Sequence, residues 1–428
     1  MSTNKSALYK AANWQILPDI SILCQYLSRN DLIELSETCK RIRKQFNSEI
    51  LKKLNLSTYG SKFSIRERIN SSNFDEILNS LLNLLEEDLK NKLHLVKEIA
   101  IHWPFNDQYA SRIVSLFPSI AKFQFSGGFS YWSKIGLLTI LNGMRHLEHV
   151  ELSFHGYVKP SFSSKDIPFS KSLKSIKIYN LEVTSELQSI LDSIDSSYTN
   201  LTSLSITSNK MLQNLSIKMP NLKEVIILNN PSFDNSLILE FLKKNPQLAK
   251  LEIFFNQYTT ELINAILSSK NLKYLVIQEC IDLEIESFDN YHVNDSIEKI
   301  ELGPGSIAGL ASLLINNCQN AKTIELREFV IVESDLFSLK VLNQRISTLK
   351  FDFCSFYRAA SCIQALDSLK NFNRATFIEC NSIDDYYDYY EGDADSFISE
   401  DIFSNLSNYE LIPDTNTCFQ SYYAIKKL

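Results

Sequence analysis

The feature that most constrains the fold is an apolar pattern that recurs along most of the chain. Each copy has an apolar residue, two variable residues, a second apolar residue, one variable residue and a third apolar residue, as in Leu201, Leu204 and Ile206. Successive copies begin about 25 residues apart. The twelve copies begin at Val96, Ile120, Leu147, Leu173, Leu201, Leu222, Leu248, Leu272, Ile297, Ala321, Ile346 and Phe372. This period predicts a stack of equivalent units rather than several globular domains.

A second signal lies at a fixed place in the pattern. Eight residues after the start of a copy, six copies carry asparagine or cysteine: Asn209, Asn230, Asn256, Cys280, Cys354 and Cys380. The combined pattern resembles the leucine-rich repeat, LxxLxLxxN/CxL. The resemblance implies a right-handed α/β solenoid, in which parallel strands form a concave sheet and helices lie outside it. Segments with helical apolar spacing, such as Ser236 to Lys244, lie between the copies as this fold requires.

The residues before the repeats have a different pattern. A Leu17-Pro18 pair, an Asp31-Leu32 pair and a Thr38-Cys39-Lys40 run are separated by apolar residues at helical spacing, which predicts a small all-α bundle. Residues 14–58 resemble an F-box. The resemblance implies that the bundle binds the Skp adaptor of a Skp–cullin–F-box ubiquitin ligase. The implied contacts are Leu17, Pro18, Ile20, Leu23, Leu27, Leu32 and Leu35. The alternative is that these residues cover the N-terminal end of the solenoid.

These signals divide the chain into six parts. A polar tail of residues 1–13 precedes the F-box-like residues 14–58, and a helical connector that doubles as a cap covers 59–92. The solenoid covers 93–383 and an acidic, tyrosine-rich segment covers 384–395. We expect that segment to be solvated, or else to bind a basic partner. Residues 396–428 form a C-terminal cap or tail.

Strand alternation predicts which repeat residues face the concave surface. The third, fifth and seventh positions of each copy point away from the core. Five large apolar residues occupy such positions on three adjacent strands: Ile226, Leu228, Phe254, Tyr274 and Val276. An exposed apolar patch rimmed by charge is typical of an interaction site, so these residues are predicted to bind a protein substrate. The alternative is that the tail from Asp384 to Leu428, or an irregular loop, folds back and covers the patch.

Composition excludes several function classes. The net charge of −7 gives no attraction to nucleic acid or to anionic membranes. No apolar run approaches the length of a membrane span, and the start lacks the features of a secretory signal. The eight cysteines include no CxxC pair, which favours free thiols in the cytoplasm or nucleus. Phosphate-loop, dinucleotide, zinc-protease and nucleophile-elbow motifs do not occur, so we expect no cofactor and no metal.

Together the two resemblances imply a non-enzymatic receptor. The F-box would recruit the Skp adaptor and a cullin, and the concave face would hold a protein substrate for a separate ubiquitin-conjugating enzyme. One alternative is an F-box scaffold in a Skp-containing assembly without ligase function, such as a kinetochore or trafficking complex. An enzyme hidden in an irregular loop has no support in the residues.

Overall fold

The computed structural model describes much of the 428-residue chain. The described residues are 20–62, 64, 73–128, 133–155, 169–179, 191–229, 232–254, 259–279, 290–306, 309–338, 346–369, 372–383, 396–398, 400–403, 406–413 and 421–427. They form two compact units, Met1–Leu147 and Glu148–Leu428. No helix among these residues is long and apolar enough to cross a membrane.

The first unit opens with three short helices, as predicted. They are α1 (Ile20–Tyr26), α2 (Arg29–Thr38) and α3 (Lys40–Lys52). A capping box fixes the start of α2, because the Ser28 hydroxyl accepts from the Asp31 N–H and the Asp31 carboxylate accepts from the Ser28 N–H. The Cys39 thiol accepts from the Ile42 N–H at the start of α3. Leu32 and Phe46 are buried in this unit.

A strand follows α3 inside the segment predicted to be all-helical. Strand β1 (Lys53–Asn55) pairs in parallel with β2 (Glu98–Ile101), with Leu54 opposite Ile99. The prediction of an all-α segment over 14–58 is therefore wrong at its C-terminal end. Leu51, Leu54 and Leu56 have the repeat spacing, but this copy starts about 45 residues before the next one. It therefore falls outside the regular period.

The rest of the first unit alternates helices and strands. Its elements are α4 (Leu56–Lys62), α5 (Phe74–Leu89), a 3-10 helix (Lys90–Leu95), β2, α6 (Asp107–Leu116), β3 (Lys122–Gly128) and α7 (Lys134–Gly143). Strand β3 pairs in parallel with β2. Helix α5 buries an apolar stripe at helical spacing: Ile77, Leu78, Leu81, Leu82, Leu85 and Leu89.

The second unit is a longer run of strand and helix repeats. Its main strands are β4 (His149–His155), β5 (Ser175–Tyr179), β6 (Ser203–Ile206), β7 (Glu224–Ile227), β8 (Lys250–Ile253), β9 (Tyr274–Ile277), β10 (Lys299–Leu302), β12 (Thr323–Arg327), β14 (Ile346–Asp352) and β16 (Phe372–Ile378). They lie side by side in this order and pair in parallel. Each of the twelve predicted copies thus contains a strand, which confirms the leucine-rich-repeat solenoid.

Helices follow several of these strands and bury their apolar faces. They are α8 (Asn209–Asn214), α9 (Asn235–Lys244), α10 (Thr260–Leu267), α11 (Leu310–Asn317), α12 (Glu333–Ser338) and α13 (Ala359–Leu369). The first, fourth and sixth residues of each copy form the core with them. In the copy that starts at Leu222, for example, Leu222, Val225 and Ile227 are fully buried.

The last repeats contain a second, five-stranded sheet that the sequence pattern did not predict. Its strands are β11 (Gly305–Ser306), β13 (Phe329–Ile331), β15 (Ser355–Tyr357), β17 (Asn381–Ile383) and β18 (Ser396–Phe397). Three equivalent residues, Glu328, Phe353 and Glu379, have φ of 56°, 53° and 46° where the chain passes from one sheet to the other. These left-handed conformations are unusual for residues other than glycine.

The cysteines that follow two of these turns bond to backbone carbonyls of the preceding repeat. Cys354 and Cys380 are buried, and their thiols donate to the carbonyls of Leu326 and Phe351 at 3.3 and 3.6 Å. Asn209 is only half-buried and instead bonds to Ser232 and Asp234 of the next repeat. The predicted counterparts Asn230, Asn256 and Cys280 lie outside the described residues.

Buried asparagines near the strand starts join neighbouring repeats. The Asn294 amide nitrogen donates to the carbonyls of Leu267 and Ser269 at 2.7 and 2.8 Å. Its oxygen accepts from the N–H groups of Ser296 and Ile297 at 2.8 and 2.7 Å. One side chain thus satisfies four backbone groups in two successive repeats.

The C-terminal residues cap the last repeat. Strands β19 (Tyr409–Pro413) and β20 (Ser421–Lys426) form a hairpin, and β20 pairs antiparallel with β16. The Tyr409 ring stacks on Phe372 with centroids 4.2 Å apart. Strands β19 and β20 therefore extend the main sheet past β16. The predicted acidic segment 384–395 lies outside the described residues.

Candidate protein-binding face

The second unit presents one face of its main sheet away from the helices. We call it the open face. It is built from the third, fifth and seventh residue of each repeat, as predicted from strand alternation. In register, Glu224 lies opposite Lys250, then Tyr274, then Lys299. A second row runs through Ile226, Glu252, Val276, Glu301, Glu325 and Lys350.

The exposed apolar patch predicted on this face is mostly wrong. Ile226, Leu228 and Val276 are only 5%, 4% and 2% exposed. Phe254 and Tyr274 are half-buried and remain accessible on the open face. Three of the five predicted contact residues therefore cannot form a surface for a partner.

Longer neighbours explain this burial. Gln278 donates to the carboxylate of Glu252, and Tyr274 donates to the carboxylate of Glu301. Tyr274 begins β9 and Gln278 directly follows it, so the two hydrogen bonds run to opposite flanking strands from either side of Val276. Polar side chains with apolar stems cover short apolar neighbours in this way.

Tyr179 occupies the seventh position of its copy on β5, and its side chain is exposed. Burial of its hydroxyl raises its pKa, as do the charges of Glu151, Glu252 and Glu224, although nearby Lys177 lowers it.

A cluster of ion pairs occupies the open face between β10 and β14. We call it the charged cluster: Lys299, Glu301, Glu325, Arg327, Lys350 and Asp352. The Lys350 ammonium lies 2.7 Å from the Glu325 carboxylate, and the Lys299 ammonium lies 3.3 Å from it. The Arg327 guanidinium lies 3.3 Å from Glu301 and 3.4 Å from Asp352. Each cation of the cluster thus contacts two or more carboxylates.

Tyr274 extends this cluster toward β8. The ammonium groups of Lys250 and Lys299 lie 4.7 and 4.4 Å from its ring centroid. The Lys299 ammonium also donates to its hydroxyl at 3.0 Å. Burial and the hydrogen bond to Glu301 raise the pKa of Tyr274 to about 12, so the phenol stays protonated at neutral pH. Cation–π contacts and hydrogen bonds hold the ring in place.

The acids and bases of the cluster differ in depth. The carboxylate side chains of Glu301, Glu325 and Asp352 are 14%, 9% and 12% exposed. The cationic side chains of Lys299, Arg327 and Lys350 are 35%, 39% and 27% exposed. The carboxylates therefore lie beneath, and the cations form the layer that solvent meets.

The pKa shifts agree with this arrangement. Burial alone would raise the pKa of Glu325, but the hydrogen bond and charge of Lys350 and the charge of Lys299 hold it below its ordinary value. Burial alone would lower the pKa of Lys350, but the hydrogen bond to Glu325 raises it above its ordinary value. Both groups therefore remain charged over a wide range of pH.

The N-terminal residues predicted to bind an adaptor have mixed positions. Leu17 and Pro18 lie outside the described residues, and only the backbone of Ile20 is described, in α1. Leu23, Leu27 and Leu35 are half-buried. Leu32 is buried, so its predicted role as a contact is wrong. It lies on α2, which packs against α3, and it serves the core of the bundle.

Two residues that the sequence reasoning missed are the exposed apolar side chains of α1. Ile22 is 51% exposed and Tyr26 is 81% exposed. They lie four residues apart and so share one side of the helix. Their spacing is visible in the sequence, but the resemblance to an F-box assigns the adaptor contacts of this helix to Leu23 and Leu27 instead.

The charged cluster was also visible in the repeat pattern. Glu325 and Arg327 occupy the fifth and seventh positions of one copy, and Lys350 and Asp352 occupy those of the next. These are positions whose side chains form the open face. Their charges do not by themselves predict a site, because charged residues on a protein surface are usually solvated.

Comparisons with known proteins give no function. The sequence matches no family model and no curated protein. It is similar to the solved leucine-rich-repeat-containing protein LegL7 from Legionella pneumophila, at 13% identity over 68% of this chain and 84% of that chain, with a TM-score of 0.32. It is also similar to the mouse RP105/MD-1 complex, at 15% identity over 68% of this chain and 56% of that chain, with a TM-score of 0.34. The assignment as a leucine-rich-repeat protein rests on its own strands and register.

Proposed function

We propose that this protein is the substrate-recognition subunit of a Skp–cullin–F-box ubiquitin ligase, acting in the cytoplasm or nucleus. The helical bundle binds the Skp adaptor, the adaptor binds a cullin, and the open face holds a protein substrate. The protein performs no chemistry itself. It raises the concentration of the substrate near a ubiquitin-conjugating enzyme.

One observation carries the proposal: α1 exposes Ile22 and Tyr26 in a small helical bundle that precedes leucine-rich repeats. Exposed apolar side chains on one side of a helix suit a partner that offers an apolar groove. The F-box-like order of residues over 14–58 supports a Skp adaptor as that partner.

Co-purification from a eukaryotic lysate tests this function. The full chain is expected to recover both the Skp adaptor and a cullin. Replacing Ile22→Asp and Tyr26→Asp together should abolish this recovery without unfolding the bundle, because both side chains are exposed. The matched control makes the same two changes at Ile217 and Val293, which are 63% and 51% exposed in the second unit.

The outcomes separate the candidate functions. Loss of adaptor and cullin with the α1 variant, and retention with the control, support the ligase. Recovery of the adaptor without a cullin indicates the alternative of a scaffold outside ubiquitin ligases. Recovery of neither partner by the unaltered chain, or full recovery by the α1 variant, overturns the proposal.

A further inference from the structure

Between β8 and β14 the open face offers a ligand an outer layer of cations, although its four cations and four carboxylates balance formally. Lys250 repeats the arrangement of the charged cluster on β8: it is 27% exposed, while its partner Glu252 is 15% exposed and lies 3.8 Å away. Four cations on four strands, Lys250, Lys299, Arg327 and Lys350, thus lie above partly buried carboxylates.

We infer that the open face between β8 and β14 binds an extended acidic polypeptide segment through Lys250, Lys299, Arg327 and Lys350. The inference rests on the proposed function in one respect, because it names the chemistry of the substrate. The interaction itself does not depend on ubiquitin ligase assembly.

The depth difference sets the sign of the ligand. A group that approaches from solvent meets ammonium and guanidinium hydrogens first, while the carboxylates lie farther away and are largely covered. Because Coulomb energy falls with distance, the nearer cations dominate at contact. The Lys350 ammonium has three N–H donors and directs two of them to Glu325 and Asp352, so a carboxylate or phosphate of the ligand can accept the third. A basic ligand would meet like charge.

The spacing of the cations sets the length of the ligand. Strands β8, β9, β10, β12 and β14 are successive neighbours in the sheet. At about 4.8 Å per strand, Lys250 and Lys350 lie on strands about 19 Å apart. An extended chain rises about 3.3 Å per residue, so roughly six residues span this distance. Phe254 and Tyr274, both half-buried, add apolar contact at the β8 end of this path.

Peptide binding by the full chain tests the inference. The probes are three fluorescein-labelled octapeptides of one scaffold, with glutamate, phosphoserine or lysine at alternate positions. Anisotropy is measured at several salt concentrations. We expect the glutamate and phosphoserine peptides to bind and the lysine peptide not to bind. Comparison of the first two shows whether carboxylate or phosphate is the preferred source of negative charge.

A double variant locates the site. Arg327→Gln with Lys350→Gln should weaken binding of the acidic peptides about tenfold, since each change removes one exposed ion pair between the protein and the peptide. The matched control, Lys273→Gln with Lys322→Gln, removes two cations just before strands β9 and β12, where both bond to Glu298. It should change the affinity less than about twofold. Circular dichroism verifies that both variants are folded.

Several results would overturn the inference. They are equal weakening by the two variants, binding of the lysine peptide as tight as that of the acidic ones, and an affinity for the acidic peptides that does not change with salt. A single-stranded RNA that displaces the acidic peptides and binds more tightly would also overturn it. Salt dependence is measured on the unaltered chain, so it decides the question even where a variant does not fold.

Adaptor recovery separates this inference from the proposed function. If acidic peptides bind at the open face but no adaptor is recovered, the ligase role fails and the inference stands. If the adaptor and cullin are recovered but no acidic peptide binds, the ligase role stands and the inference fails.

Discussion

Replacing Glu325 by glutamine is expected to weaken the fold and to strengthen the binding of an acidic peptide. Glu325 lies at the centre of the charged cluster, with the cationic groups of Lys350, Lys299 and Arg327 at 2.7, 3.3 and 3.5 Å. Glutamine keeps the shape and one hydrogen-bond acceptor but removes the charge. A purely structural role would change stability alone, so the opposite signs of the two effects make the prediction specific.

The size of each effect follows from the partners that remain. Each cation keeps another carboxylate: Lys299 keeps Glu301 at 3.5 Å, and Lys350 keeps Asp352 at 3.3 Å. The loss is therefore smaller than the 3–5 kcal/mol typical of breaking a buried pair, and about 1–2 kcal/mol of unfolding free energy is expected. The less neutralised cations should improve binding by about 0.7 kcal/mol, or roughly threefold.

Urea unfolding followed by circular dichroism measures the first effect, and peptide anisotropy measures the second. The control is Glu298→Gln, an exposed carboxylate paired with Lys273 and Lys322 outside the open face. It should leave both quantities unchanged. If Glu325→Gln lowers stability while the acidic peptide binds equally or more weakly, the reasoning about outward cations is refuted.

Other changes test the fold itself. Asn294→Ala leaves four backbone groups without this partner and should cost about 3 kcal/mol of unfolding free energy. The control Asn320→Ala removes one exposed hydrogen bond to the Asp295 carbonyl and should cost less than about 1 kcal/mol. Urea unfolding midpoints compare the two variants. The pKa of Glu325 is lowered from 4.5, so its stabilisation is present above that pH and is lost as pH falls through the folded-state pKa. The pKa of Lys350 is raised from 10.5, so its stabilisation is present below that pH and is lost as pH rises through the folded-state pKa. The urea midpoint measured against pH should therefore show a plateau between these limits. Phe353→Gly should raise the urea midpoint. Phe353 has φ of 53° and an exposed side chain, and glycine at this φ avoids about 1 kcal/mol of backbone strain.

The repeat period predicted the strands well because one physical requirement recurs in every repeat. Each repeat must bury its first, fourth and sixth residues in the core, so the apolar spacing marks all twelve strands. The segment around β1 has the same spacing in Leu51, Leu54 and Leu56. The repeat pattern does not predict this strand, because a single copy outside the period is no more frequent than expected by chance.

The second sheet could not be predicted in this way. Strands of two or three residues, such as β11 and β15, are too short to show alternation. The turns that lead into this sheet use Glu328, Phe353 and Glu379 at positive φ, where glycine or asparagine would have been the visible signal. The backbone geometry is imposed by stacking against the neighbouring repeat, which no single repeat encodes.

The open face shows the limit of reasoning from alternation. Alternation assigned Ile226 and Val276 to the correct face, but their exposure depends on the lengths of side chains on flanking strands. Those strands are about 25 residues away in sequence and adjacent in space. One strand is therefore enough to predict which face of the sheet a side chain lies on. Predicting whether that side chain is exposed requires the register of three adjacent strands.

The depth of the charges also bears on how such a face selects its ligand. The chain has a net charge of −7, so an acidic segment gains no long-range attraction to it. The outward cations act only within about one Debye length, near 8 Å at physiological salt. Recognition would then arise at contact, in the dissociation rate more than in the association rate. An arrangement of this kind disfavours diffuse binding to polyanions and rewards a segment whose acids match the spacing of the four strands.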